Sequence, residues 1–385
     1  MKLLYIIKSI AKLGGLDRVW VERMNYLAES CSHDVYLLTY EQGNHPISYP
    51  LSTRIKHCDI GVRFFTLCKE TIYKRVLTYY KMRRTFKKRL CFQIEKISPD
   101  VVICTTDAFP LLNIITKASK GCYRIIESHV AKCDFSKAPH FQNSSILHKL
   151  FTCFDHYIIK QIKACNKFIV LTQDDYEEWK NLIPQIEIIP NPVSFIPEKL
   201  STLKEKRIIS VGRLTYQKGF DMLISVWDIV YKKHSDWTLT IYGNGDDLKY
   251  LQNIIRTKGI KNIFIHEAVT DICNKYLESS IYVMSSRYEG FGLVLIEAMS
   301  CGLPCVSFDC PHGPKEIIIH NENGILTENG NIEKMAENIC FLIENENERF
   351  KMGNKAKEST QRYQKKDIMK RWELLFNNIE KEYQL

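Results

Sequence analysis

The feature that most constrains this chain is a rhythm. Short apolar runs rich in Val, Ile, Tyr and Phe alternate with stretches of helical period, and the series breaks once, at Pro190-Asn191-Pro192. Strand-length runs separated by helices predict a parallel sheet with crossover connections. Before the break the predicted strands are Lys2–Lys8, Asp34–Tyr40, Asp100–Cys104, Tyr123–Glu127, Lys167–Leu171 and Gln185–Ile189. A loop over Ser9–Gly15 leads into a helix over Leu16–Ser30, with Val19, Met24 and Leu27 among its buried residues. After the break the strands are Arg207–Val211, Thr238–Tyr242, Ile263–His266, Ile281–Met284 and Pro304–Phe308. Helices follow Gly219, Asp246, Asp271, Gly292 and Pro314. Two prolines around an asparagine cannot continue a strand or a helix. The expected fold class is therefore α/β: two Rossmann-like doubly wound domains over 1–190 and 191–364, facing a central cleft. A helical tail over 365–385 follows, with Ile368, Trp372, Leu375, Phe376 and Ile379 close to helical spacing. A chain of 385 residues exceeds what one core usually supports, which agrees with the division. In such sheets ligands bind at the carboxyl ends of the strands, where the strand order reverses.

Composition narrows the function classes. With 45% hydrophobic and 25% charged residues the chain reads as an ordinary soluble globular protein. Its longest apolar runs, such as Ile281–Met284 and Leu293–Ile296, are far too short to cross a bilayer. Met1–Ile10 lacks the length and cleavage site of a signal peptide and reads as a first buried strand. The expected location is the cytoplasm, or its face of a membrane. The 14 cysteines are scattered without a Cys-x-x-Cys pair, and Cys301, Cys305 and Cys310 near His312 lack a second ligand pair at zinc spacing. Buried thiols in a reducing compartment are the expectation, with no metal. The net charge of +10 is lopsided: residues 1–190 hold 28 Lys and Arg against 18 Asp and Glu, whereas 191–385 hold 26 of each. The first half therefore meets, or lies beside, something anionic.

The densest chemical signal follows the strand Ile281–Met284. Ser286-Arg287-Tyr288-Glu289-Gly290-Phe291-Gly292 leads into a helix from Leu293 to Ser300. Glycines let a ligand approach the backbone, and the helix start offers N–H groups and the positive end of a dipole, which suits a diphosphate. Glu289 and Glu297 stand eight residues apart, so they reach different parts of one ligand. Upstream, Gly212-Arg213-Leu214-Thr215-Tyr216-Gln217-Lys218-Gly219 places two cations on a strand-to-helix loop, able to stabilise charge on a departing diphosphate.

These motifs, with Gly14-Gly15 after the first strand and Gly243-Asn244-Gly245 after a later one, resemble the family 4 retaining glycosyltransferases of GT-B fold. The likeness spans nearly the whole chain, is strongest over Ile208–Leu326, and includes that family's Glu-x7-Glu spacing at Glu289 and Glu297. The segment Ser307–Glu316, with His312 in it, resembles the subgroup that builds surface or lipid-linked polysaccharides. The resemblance implies a nucleotide-sugar donor, by expectation a UDP-hexose or UDP-N-acetylhexosamine, and a saccharide or lipid-linked acceptor. It implies that Arg213 and Lys218 hold the diphosphate, that Glu297 binds the ribose hydroxyls, and that Glu289 lies by the donor sugar. The backbone of Gly290, Phe291, Gly292 and Leu293 then touches sugar or phosphate, and Gly14 and Gly15 approach the diphosphate. Gly243 and Glu267–Val269, including Ala268 and Val269, lie near the base. His129, after the strand ending in Glu127, faces donor or acceptor. The tail crosses back onto the first domain. Front-face displacement needs no carboxylate nucleophile and no metal or cofactor, and no Asp-x-Asp triplet is present to hold a metal.

Lys69–Arg89 holds nine basic residues against one acid, Glu70, with Ile72, Val76, Tyr79, Tyr80, Phe86 and Leu90 close to helical spacing. A basic amphipathic helix of this kind lies on anionic lipid, or is a solvated helix packed on the first sheet. No nucleic-acid motif or stacking platform is recognisable. Two competing readings remain: a sugar-nucleotide epimerase on the same fold, which would need acid/base carboxylates at the sugar, and a non-catalytic donor-binding homologue. The acceptor contacts are expected from the loops Gln42–Leu51 and Lys132–His140, which carry no motif.

Overall fold

A computed structural model describes residues 1–11, 14–69, 71–129 and 156–383, so the expected acceptor loop Lys132–His140 lies outside the described residues. The chain forms two compact units, Met1–Ile189 with Met369–Leu385, and Pro190–Ile368. Each is built on an all-parallel sheet.

In unit 1 the strands are β1 (Lys2–Ile7), β2 (Asp34–Thr39), β3 (Lys56–Asp59), β4 (Val101–Thr105), β5 (Tyr123–Glu127), β6 (Lys167–Val170) and β7 (Ile186–Ile188), ordered β3-β2-β1-β4-β5-β6-β7. Central strands covered on both faces need apolar side chains at every position rather than at alternate ones. β1 shows it: Leu3, Leu4, Tyr5 and Ile6 are all fully buried. The helix Gly15–Glu29 follows β1 and buries Val19, Trp20, Met24 and Leu27. The basic helix Ile72–Ile97 packs through Phe86, Leu90 and Ile94. The C-terminal helix Lys365–Tyr383 buries Trp372, Phe376 and Ile379, and its Glu373 accepts a hydrogen bond from Tyr26 Oη at 2.6 Å.

In unit 2 the strands are β8 (Arg207–Val211), β9 (Thr238–Tyr242), β10 (Ile263–His266), β11 (Ile281–Met284), β12 (Cys305–Asp309) and β13 (Gly324–Glu328), ordered β10-β9-β8-β11-β12-β13. The order reverses between β8 and β11, which pair through Ile281 and Tyr282 against Ile208 and Ile209. The helix Phe220–Lys233 buries Leu223, Ile224, Trp227 and Val230 in a core shared with Met335 and Ile339 of the helix Ile332–Glu344. Among the described residues Cys104, Cys165, Cys301, Cys305, Cys310 and Cys340 are buried thiols outside any disulfide. Burial pushes the Cys165 thiol up to about 12, so it stays protonated and unreactive.

Two strands were not expected from the sequence. β3 reads Lys-His-Cys-Asp because it is a half-exposed edge strand, and β13 offers only Ile325 and Leu326 as apolar residues. The basic helix also runs on to Ile97, well past Arg89.

Candidate functional site

The loops after β8, β9, β11 and β12 are laced together at the carboxyl ends of unit 2's strands. Gly212 N donates to Tyr242 O at 3.0 Å, Leu214 N to Asn244 O at 2.9 Å, and Glu289 N to Pro311 O at 3.1 Å. Arg287 N donates to Gln217 O at 2.8 Å, and the Gln217 amide returns a bond to Tyr288 O at 3.1 Å. This closeness explains a glycine. A Cβ on Gly243 would stand 1.8 Å from Gly212 O, so any side chain there would push the β8 and β9 loops apart. Ala268 N bonds the Asn244 side chain at 3.2 Å, which ties the 267–269 stretch to the same loop, with Val269 exposed.

Arg287 is a scaffold residue. Its guanidinium donates to both oxygens of Asp221 at 2.9 and 2.6 Å and stacks over the Tyr216 ring at 4.0 Å. Burial opposes ionisation of Asp221, but the Arg287 bonds and charge outweigh it and hold the carboxyl below its ordinary value.

Two cations that look alike in sequence are separated by the structure. Arg213 is exposed, with its guanidinium 3.3 Å from Gln217 Oε1. Lys218 is largely buried, and its ammonium lies 2.6 Å from Glu289 Oε1. Glu289, 4% exposed, also accepts from Ser286 Oγ at 2.5 Å. Lys218 and Glu289, 71 residues apart, thus form one charged pair at the β8–β11 switch point.

The helix Leu293–Ser300 starts at Gly292, whose φ of 90° only glycine adopts cheaply. Gly290, Phe291, Gly292 and Leu293 form its approach, where first-turn N–H groups have no intrahelical acceptor. Glu297 sits one turn further in, and Tyr276 Oη lies 3.5 Å from its carboxylate. Burial, helped by the Glu297 charge, raises the Tyr276 phenol well above its usual value, so it remains a donor. His312 is buried on the β12 loop in a left-handed conformation, and Glu316 stands in the first turn of the short helix Pro314–Ile317.

In unit 1, Gly14 caps the helix Gly15–Glu29 directly after the β1 loop, with open space where its Cβ would be. His129 follows β5, and its Nε2 lies 2.8 Å from Glu127 Oε2. Glu127 is buried and takes both Arg23 guanidinium nitrogens, at 3.1 and 2.5 Å, and the Trp20 indole N–H at 3.3 Å. Sequence reasoning missed Glu127 as the partner of His129, and Arg23 as the partner of Glu127. The only signal was an arginine on the buried face of an amphipathic helix.

The basic helix divides its charges. Arg75 donates to Leu67 O, Arg89 to Gly61 O, and Arg83 to Pro110 O and Asn113 Oδ1, so these three brace unit 1 itself. On another face Tyr73 (87% exposed), Val76, Leu77 and Tyr80 are exposed, and Arg84, Lys87 and Lys88 continue it one to two turns on. Among the described residues no helix is long and apolar enough to cross a membrane.

Comparison with known proteins agrees with this architecture. Residues 194–359 match the family described as "Glycosyl transferases group 1". An uncharacterized glycosyltransferase of Haemophilus influenzae is 29% identical over 96% of this chain and 98% of its own length. The amylovoran biosynthesis glycosyltransferase AmsD of Erwinia amylovora is 27% identical over 98% of this chain and 99% of its own. Among solved structures, S. aureus TarM in complex with fondaparinux, alpha-GlcNAc-glycerol and UDP superposes with a TM-score of 0.79 at 20% identity, covering 98% of this chain and 99% of that one.

Proposed function

We propose that this chain, of GT-B fold and similar to glycosyltransferases along nearly its whole length, carries out a retaining, metal-independent transfer of a hexose or N-acetylhexosamine from a UDP-sugar to a saccharide acceptor. One observation carries the reading: Arg213, the Lys218–Glu289 pair and the helix start at Gly292 share the β8–β11 switch point. A diphosphate there meets two cations and a helix dipole, the charge needed when the anomeric C–O bond breaks and its electrons pass to the diphosphate. The acceptor oxygen attacks from the face the diphosphate leaves, and its proton passes to the leaving phosphate. Glu289, fixed by Ser286 and Lys218, lies by the sugar, Glu297 takes the ribose hydroxyls, and Gly243 with Ala268 and Val269 borders the base. Within unit 1 itself, Gly14, Gly15 and His129 are the positions we assign to ligand contact. An epimerase would need an acid and a base at the sugar, and Glu289 is already committed to Lys218. A hydrolysis screen across nucleotide sugars tests the reading: release of UDP from a UDP-hexose or UDP-N-acetylhexosamine supports it, and epimerised donor without UDP release sinks it.

The acceptor we propose is lipid-linked, as in surface polysaccharide assembly, reached from the cytoplasmic face. Its support is the face of the basic helix that presents Tyr73, Val76, Leu77 and Tyr80 and then Arg84, Lys87 and Lys88. Apolar residues followed by cations suit the acyl boundary and anionic headgroups respectively.

A further inference from the structure

We propose that Glu127 and Arg23 are positioning residues which fix the tautomer of His129, so that its Nδ1 accepts a hydrogen bond from a sugar hydroxyl, with Trp372 of the C-terminal helix bracing them. The proposal rests on the transferase reading above and deepens it. A carboxylate can only accept, so the 2.8 Å contact with Glu127 Oε2 places a proton on Nε2 of His129. In the neutral ring Nδ1 is then a bare acceptor. It is buried, and among the described residues nothing donates to it. Most buried polar side-chain atoms have a hydrogen-bond partner, so a bare acceptor beside a fully braced Nε2 calls for a reason. The unpaired nitrogen is therefore the acceptor we assign to a sugar hydroxyl.

The support behind Glu127 is unusually complete. Burial alone would raise its carboxyl, but the Arg23 charge, with bonds from His129 and Arg23, brings it below the ordinary value. Arg23 itself is 2% exposed, and its guanidinium lies 3.8 Å over the Trp372 ring. Tyr5 and Trp20 flank it at 5.4 and 5.7 Å. A cation–π contact from Trp372 to Arg23, then hydrogen bonds from Arg23 and from His129 to Glu127, thus link the C-terminal helix to His129, all within unit 1.

The test uses the full chain with 15N-labelled histidine, without ligand, above pH about 7.5 where ordinary histidines are neutral. The His129 signal, assigned by its loss in His129→Gln, should show Nε2 protonated and Nδ1 bare. A proton on Nδ1 would overturn the proposal whether or not any sugar is transferred. The second arm reads UDP-glucose and UDP-N-acetylglucosamine hydrolysis in a cycle. Glu127→Gln should shift the tautomer and lower turnover about 10- to 100-fold, the range for removing a histidine's outer partner, with KM little changed. In the His129→Gln background the same substitution should cost under about threefold. Equal losses in both backgrounds would make Glu127 a mere structural staple. If Glu127→Gln does not fold, Glu127→Asp keeps the charge against Arg23 while drawing the oxygen back by about 1.5 Å, and should shift the tautomer in the same way. No hydrolysis by the parent, with the Nε2 proton in place, would count against the transferase reading and leave the tautomer assignment standing.

Discussion

Lys218→Ala and Arg213→Ala should look alike in turnover and unlike in stability. The Lys218 side chain is 14% exposed and that of Glu289 6%, with 2.6 Å between ammonium and carboxylate. Removing one partner of a buried pair costs about 3–5 kcal/mol because the other charge is stranded. Ser286 still donates to Glu289, which places the loss near the low end, about 3 kcal/mol. For a unit the size of Pro190–Ile368 each kcal/mol moves Tm by about 2–4 °C, so Lys218→Ala should melt about 6–12 °C lower. Arg213 is exposed, and its loss should stay within about 0.5 kcal/mol. Both should lower UDP-sugar turnover by about two to three orders of magnitude, as when one donor to a developing anion is lost. The decisive variant is Lys218→Ala with Glu289→Gln, which leaves no buried charge and should recover most of the Tm but none of the turnover. Calorimetry and a coupled UDP-release assay read both quantities. A Lys218→Ala protein that melts with the parent, or a double variant no more stable than the single, would refute the pairing argument.

Glu297→Gln should weaken UDP binding by calorimetry, because ribose hydroxyls are present in ground and transition states alike, whereas Glu289→Gln should lower kcat more than affinity. Unchanged UDP affinity in Glu297→Gln would remove the ribose assignment. Glu127 and Asp221 both titrate below their ordinary values when folded, so the folded state binds fewer protons than the unfolded one. Their contribution is present above the ordinary carboxylate pKa of about 4 and is lost as pH falls from there through their lower folded values, so the urea midpoint should drop progressively below about pH 4. Asp221→Asn should flatten unit 2's share of that drop, and an unchanged slope would contradict it. Vesicles containing acidic lipid should sediment the protein at low salt and release it as the Debye length shrinks from about 10 Å at 0.1 M to about 3 Å at 1 M. Arg84, Lys87 and Lys88 changed together to Gln should abolish sedimentation without lowering donor hydrolysis, and equal binding to neutral vesicles would leave an ordinary solvated helix.

Much of the fold was legible because buried parallel strands are apolar at every position. β8, β9, β10 and β11 begin and end where the sequence places them. β3 was not legible, since an edge strand written Lys-His-Cys-Asp carries no such run. The start of the helix at Gly292 and the two glutamates could be read because glycine spacing and carboxylate spacing are local. Partnerships across the fold could not. Nothing in the sequence joins Lys218 to Glu289 over 71 residues, or Arg23 to Glu127 over 104, because each contact is made by the order in which strands pair. The basic helix shows the same limit. Its nine charges can be counted in sequence, but only the structure shows that Arg75, Arg83 and Arg89 are spent on unit 1's own carbonyls.

The central claim, a donor held at the β8–β11 switch point and transferred with retention, is tested most directly by proton NMR of the anomeric signal. Parent protein and Arg213→Ala would each be incubated with UDP-glucose or UDP-N-acetylglucosamine in excess chelator, and the first-formed sugar product followed before mutarotation. The account predicts UDP release with the α-anomer appearing first in the parent, and a signal about 100- to 1,000-fold slower in Arg213→Ala. A β-anomer appearing first, a requirement for added magnesium, or an Arg213→Ala protein as fast as the parent would contradict it.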